Sequence, residues 1–264
     1  MLFRSPVADD ADFSGYRGYY TVALPSRDGL SGCGYLTLSM TSSTFTHGGK
    51  VKFSGLSPVG RTLSGYAYLE LVGDNVAQLV VFKRMSSTDA VAAVLEIKPG
   101  GKANWSNPSD ILAREVVNAA EGTLSYWIIG GKKYFCEVAG SWYNTSATAE
   151  ELVSAFYVNP KTEFNLVVAD NVVGTLVANG KKFDFIPAVA GAKFSFNSKT
   201  GIFSGKTKNG KFKGVVVPGW YENCDCGEGV PEFPFGGGTL WRKEKSGGKT
   251  ITVSEQISID EAGL

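Results

Sequence analysis

The sequence predicts an all-β protein: antiparallel meanders curling into one or two barrel-like lobes, with one short helix at about 147–157. Three observations carry this. Alternating apolar runs follow one another along the chain, separated by Gly, Pro, Asp or Asn. Glycine, at 33 residues, is abundant and dispersed rather than tandem, which suits many tight turns. Convincing helix signals are confined to one stretch.

In order, strand patterns fall at Tyr19–Leu24, Gly34–Met40, Lys50–Ser54, Ser64–Leu71, Ala77–Lys83 and Val91–Ile97. Thr123–Ile129 and Lys133–Val138 continue the series. After the central region come Phe164–Ala169, Val172–Ala178 and Phe183–Pro187, and Gly238–Arg242 and Thr250–Ser254 close it. The stretch KFSFNSKTGIFSGKTKNGKFKGVVVPG (193–219) reads as a meander, because alternation puts Phe194 and Phe196 on one face. Within it Asn209-Gly210 predicts a type I′ hairpin turn, which needs positive φ at both central positions. Lys206, Lys208, Lys211 and Lys213 are expected to form a solvated face there.

The helix is signalled by NTSATAEELVSAFYVNP. Thr148 followed by Glu151 makes a capping box, Leu152, Val153, Phe156 and Tyr157 share one face, and Pro160 ends it. A weaker helical pattern covers Ser109–Gly122, whose valines suit a strand nearly as well. The expected organisation is an N-terminal extension (1–14), a first β lobe (15–143), a connecting helix (144–160), a second β lobe (161–254) and a tail (255–264). LVGDNVAQLVV (71–81) resembles LVVADNVVGTLVA (166–178), and TFTHGGKVKFSG (44–55) resembles IFSGKTKNGKFKG (202–214). Both pairs suggest an internal repeat, although they occur in opposite order.

A hydrophobic fraction of 43% supports a substantial core, and a formal charge of +1 argues against nucleic-acid or anionic-membrane binding by bulk electrostatics. No apolar run is long enough to span a membrane, and MLFRSPVADDADFSG has no hydrophobic stretch of signal-peptide type. Cys33, Cys136, Cys224 and Cys226 are an even but sparse set, which leaves the redox compartment open.

The ordered set GYRGYYTVALP, GCGYLTLSMTSSTFTHGGKVKFSG, ANWSNPS, GSWYNTSATAEELV, FSFNSKTGIFSGKTKNGKFKGVVVPG and GGGTLWRK spans roughly residues 15–243. It resembles β-rich modules at the ends of large secreted or cell-surface proteins of planctomycete- and verrucomicrobia-type bacteria. The resemblance implies export and an all-β fold, and it brings no active site to carry over. The cysteine-bearing segment Tyr221–Pro234 departs from it, where a short glycine-rich turn is expected.

Candidate sites are few. His47 is the lone histidine, beside Gly48-Gly49, and reads as a turn residue; no Gly-x-Ser-x-Gly accompanies it. In ENCDCGEG (222–229), Cys224 and Cys226 offer two thiolates where a tetrahedral metal site wants four ligands. For an exported module, disulfides to Cys136 or Cys33, or free thiols, are the preferred reading, so neither metal nor cofactor is expected. Asp74 and Asp170 each sit in an apolar-Asp-Asn-Val context, and paired aspartates are how two-lobed aspartic peptidases share a proton. The Asp-Thr/Ser-Gly signature is missing, and Asp-Asn is also an ordinary two-residue turn.

Aromatic side chains that could stack on sugar rings are Trp105, Trp127, Trp142, Trp220 and Trp241, with Tyr143 and Tyr221. Trp127 and Trp241 lie in strand patterns and read as core. Trp220 and Tyr221 open an irregular acidic loop that includes Glu222 and Glu228, and these four form the candidate ligand-binding set. The preferred function is a non-catalytic structural or adhesive module with a polysaccharide or glycoprotein as partner. An aspartic-type peptidase using Asp74 and Asp170 is the alternative.

Overall fold

The computed structural model describes residues 16–27, 29–41, 49–73, 76–98, 116–120, 122, 124–154, 163–218 and 236–261. Among them the first lobe contains β1 (Gly18–Pro25), β2 (Cys33–Met40), β3 (Lys50–Leu56), β4 (Thr62–Gly73), β5 (Val76–Arg84) and β6 (Ala90–Lys98). It continues through β7 (Val116–Ala119), β8 (Ser125–Ile129), β9 (Lys132–Cys136) and β10 (Ala139–Tyr143). Helix α1 (Ala149–Ser154) leads to β11 (Glu163–Val168), β12 (Asn171–Asn179), β13 (Lys182–Pro187) and β14 (Lys193–Asn197). The chain then forms β15 (Ile202–Thr207), β16 (Gly210–Val216), β17 (Gly236–Ser246) and β18 (Lys249–Glu261). The predicted all-β class with one short helix is the observed one.

The strands build two antiparallel sheets. The first has ten strands in the order β5-β4-β3-β2-β1-β10-β7-β6-β8-β9, and a further β5–β6 pairing returns it on itself. Its ring is an up-and-down meander, and the β8–β9 hairpin completes the wall between the start of β6 and the end of β1. The second sheet has eight strands in the order β13-β12-β11-β18-β17-β16-β15-β14, closed between first and last strands by β11–β18. Its edges, β13 and β14, lie beside each other without a ladder.

Alternation decides what each barrel encloses. In β3 the pattern KVKFSGL buries Val51 and Phe53 and exposes Lys50 and Lys52. The first interior is filled by Tyr20, Leu36, Leu38, Met40, Phe53, Leu79, Leu95 and Trp127, all 2% exposed or less. Trp127 lies flat on Gly34, where a Cβ would sit 2.3 Å from its ring, and its indole N–H donates to Leu24 O at 3.3 Å. The second interior holds Phe164, Leu176, Phe203, Phe212, Leu240 and Ile257, joined by Leu152 and Val153 of α1. The capping box forms: Thr148 N–H donates to Glu151 Oε2 at 2.7 Å and Glu151 N–H to Thr148 Oγ1 at 3.1 Å.

The outer face of β1, β2 and β10 seats against the second barrel. Tyr143 is fully buried there and donates its hydroxyl to Ser198 O at 2.6 Å, while Thr239 Oγ1 donates to Cys33 O at 3.0 Å. Ala23, Tyr35, Leu56, Val215 and Val217 make the apolar part of this seam.

Several local expectations shift. Part of the weak helical pattern is strand: Val116–Ala119 pairs with both β6 and β10, and Val117 is fully buried. β18 runs to Glu261 and pairs with β11, so most of the expected tail is sheet. Two of the predicted Asn/Asp turns move back one residue. Thr207 pairs with Gly210, making Lys208-Asn209 the loop, and neither has positive φ. Val168 pairs with Asn171, making the loop Ala169-Asp170, with φ of 44° and 64° in the type I′ sense. Gly210 is required by space instead, because a Cβ would lie 2.5 Å from Trp241 O. The repeat motifs fall on non-equivalent strands. The Asp-Asn pair joins fourth to fifth in one ring and first to second in the other, whereas Lys-Phe-x-Gly lies on third and sixth, so no single rotation superposes both.

Candidate binding surface

Asp170 occupies the exposed tip of the β11–β12 hairpin, where Asn171 Nδ2 donates to Ala169 O at 2.7 Å. Asp74 lies outside the described residues, as do Trp220, Tyr221, Glu222 and Glu228, together with His47, Trp105, Cys224 and Cys226. Cys33 and Cys136 are buried free thiols in different apolar clusters. Removal from water pushes each thiol up to about 12, so neither is a thiolate at neutral pH. Among the described residues no group of three or more His, Cys, Asp or Glu is placed to hold a metal ion.

The expected stacking residues are largely enclosed. Trp127 and Tyr143 are fully buried, Trp142 packs on the first core and Trp241 on the seam between barrels. Open aromatic rings lie elsewhere, on the outer face of the first barrel: Tyr66 at 59% exposure, Tyr68 at 59% and Phe82 at 63%. Single exposed apolar residues are ordinary, but a contiguous group calls for a partner.

Register sets one of these rings, Phe82, in a row that crosses four strands. Phe82 of β5 pairs with Ala92 of β6, Ala92 with Tyr126 of β8, and Tyr126 with Phe135 of β9. One step along, Arg84 pairs with Ala90 and Ala90 with Ile128; on the other side Val80 pairs with Val94. The outward residues of β6 therefore form a floor of Ala90, Ala92 and Val94 between taller walls. Val80, Phe82 and Arg84 stand on one side, Tyr126 and Ile128 on the other. Strands about 4.8 Å apart put Phe82 and Tyr126 about 9–10 Å apart across Ala92. This is a linear groove running along a strand, with Phe82 and Tyr126 in its opposite walls.

Lysine heads rest on the neighbouring rings. Lys133 Nζ is 3.9 Å from the Tyr126 centroid and 5.1 Å from that of Phe135, and Lys50 Nζ is 4.3 Å from Tyr66. Exposed contacts of this kind contribute about 0.5–1 kcal/mol each, little enough for a stacking ligand to displace. The sequence signal for this surface is subtle. In VAQLVVFKR (β5) Leu79 and Val81 fill the core while Val80 and Phe82 face outward, so both faces are apolar. In GYAYLE of β4 the tyrosines occupy the face opposite Ala67 and Leu69.

No protein-family model and no curated protein matches the chain. Among solved structures it is similar to a kievitone hydratase from Nectria haematococca, with a TM-score of 0.27 and 9% identity over 98% of this chain and 93% of that one. A likeness of that size carries nothing about function to this chain.

Proposed function

We propose that the chain is a non-catalytic structural or adhesive β module of a secreted or cell-surface protein, and that it holds polysaccharide in the groove along β6. The observation behind this reading is the cross-strand row Phe82–Ala92–Tyr126–Phe135 on the outer face of the first barrel. Sugar rings present flat C–H faces to aromatic rings and hydroxyls to the surrounding polar groups, and a linear groove suits a chain of them. Packed barrel interiors point the same way, since a ligand then binds on the outside. The test is retention of the protein on insoluble cellulose, chitin and xylan, compared with a Phe82→Ala/Tyr126→Ala variant. At least one polysaccharide is expected to retain the parent and to lose the variant. Retention by none of them refutes the binding role, and equal retention of the variant removes the groove from it.

A further inference from the structure

Beside the groove the wall of the first barrel opens. The β4–β5 ladder runs from Gly73↔Val76 to Leu69↔Leu79 and stops there. Beyond it Thr62–Tyr68 remains paired to β3 and Val80–Arg84 to β6. Between these two stretches lies a cleft of about 500 Å³, flanked by Thr62, Leu63 and Ser64 on one side and Lys83, Arg84 and Met85 on the other. Tyr35, Ser54 and Gly55 of the first barrel line it too, and the second barrel contributes Ile202 and Lys213. Lys213, expected on a solvated face, is half-buried against the first barrel instead.

The charge in this cleft is of one sign. Lys83, Arg84 and Lys213 line it, and no Asp or Glu does. The ion pairs of the described residues include neither Lys83 nor Lys213. Arg84 donates through Nε to Ser86 O at 2.9 Å and through Nη2 to Ser87 O at 3.2 Å, which fixes the guanidinium without neutralising it. Hydroxyls accompany the cations. Ser64 pairs with Ser54, Ser54 with Thr37, and Thr37 with Thr21, a ladder of hydroxyl side chains leading from the cleft under the second barrel. The Thr37 and Ser54 hydroxyls are 2.8 Å apart.

We infer that this cleft is an anion subsite that selects acidic polysaccharide, seating a carboxylate or sulfate ester of the chain lying in the groove. The inference rests on the reading of the β6 groove as a polysaccharide surface, and Arg84 links the two because it stands in both the groove wall and the cleft. Half-buried cations concentrated in a cleft attract an anion far more than solvated surface charges do, since screening and competing water are reduced there. Donation from Ser, Thr, Arg and Lys also matches the acceptor-only character of a carboxylate or sulfate.

Affinity electrophoresis tests it, with gels containing polygalacturonate, dextran sulfate or neutral hydroxyethylcellulose. The parent is expected to be retarded most by the acidic gels, and the stronger of the two tells carboxylate from sulfate recognition. A Lys83→Gln/Lys213→Gln variant should lose about tenfold or more in affinity for the acidic polymer. Lys83→Arg/Lys213→Arg should keep most of it. Lys181→Gln/Lys245→Gln removes the same charge from exposed positions of the second barrel and should change little. Equal retardation by neutral and acidic gels, an unaffected Gln variant, or an equal loss in the Lys181/Lys245 control overturns the subsite while leaving the groove reading intact. Should both the Gln and Arg variants lose binding while their melting profiles match the parent, charge is not the determinant and the inference falls. Retardation by no gel refutes the subsite and the polysaccharide reading together.

Discussion

The second barrel closes at its open edge through side chains, and one pair of phenylalanines measures how much. β13 and β14 share no backbone ladder, yet Phe183 and Phe196 meet across them edge-to-face at 5.0 Å, and Phe185 and Phe194 meet at 5.8 Å. From Phe194 the rings continue inward to Phe203 at 6.0 Å and Phe212 at 6.5 Å. Phe183 is 7% exposed and Phe196 half-buried. Phe183→Ala should therefore cost about 3–5 kcal/mol as a core truncation. Phe196→Ala should cost roughly 1.5–2.5 kcal/mol, in proportion to its smaller burial. If the rings hold the seam, the double variant should cost less than the sum by about 0.5–1.5 kcal/mol, the extra energy of an oriented aromatic pair. Urea unfolding of the four proteins, followed by circular dichroism, supplies the cycle. Hydrogen exchange should also show faster opening of β13 and β14 in both single variants. A coupling energy indistinguishable from zero, with unchanged exchange at the two edges, would refute closure by side chains.

Three further outcomes follow from packing and titration. Thr21 pairs with Ser141 between the barrels and both hydroxyls are buried without a partner among the described residues, so Thr21→Val, near in shape, should stabilise by about 1 kcal/mol; a loss in thermal unfolding would contradict this. Gly210→Val should destabilise by about 2 kcal/mol or more through contact with Trp241 O, while Asn209→Ala should stay within about 0.5 kcal/mol, and a reversed order would restore the Asn-Gly turn. Burial holds Asp260 above the ordinary aspartate value, opposed by the Ser258 hydroxyl that donates to it at 2.8 Å. A raised carboxyl favours the folded state most when protonated, and that contribution is lost as pH rises through its folded value. Asp260→Asn should therefore gain stability over the parent at pH 7 and little at pH 3; the same gain at both pH values would exclude titration as its cause.

What the sequence determined is local. Period-two alternation located most strands because a residue two positions on returns to the same face, and the Thr148–Glu151 spacing placed the helix start because those groups meet within one turn. Turn positions were legible only to within one residue, since register follows from burying Phe203 and Phe212 together rather than from the turn dipeptide. Val116–Ala119 sits in a weak helical pattern whose valines suit a strand nearly as well, and β6 and β10 offer it two edges. The candidate surfaces were decided by tertiary structure. Phe82, Ala92, Tyr126 and Phe135 come together through three separate pairings, and Lys83 shares a cleft with Lys213 only because one barrel seats on the other. Alternation says that a side chain faces one of two sides; which side is covered depends on ring closure and docking between residues far apart in the chain, and no local pattern encodes that.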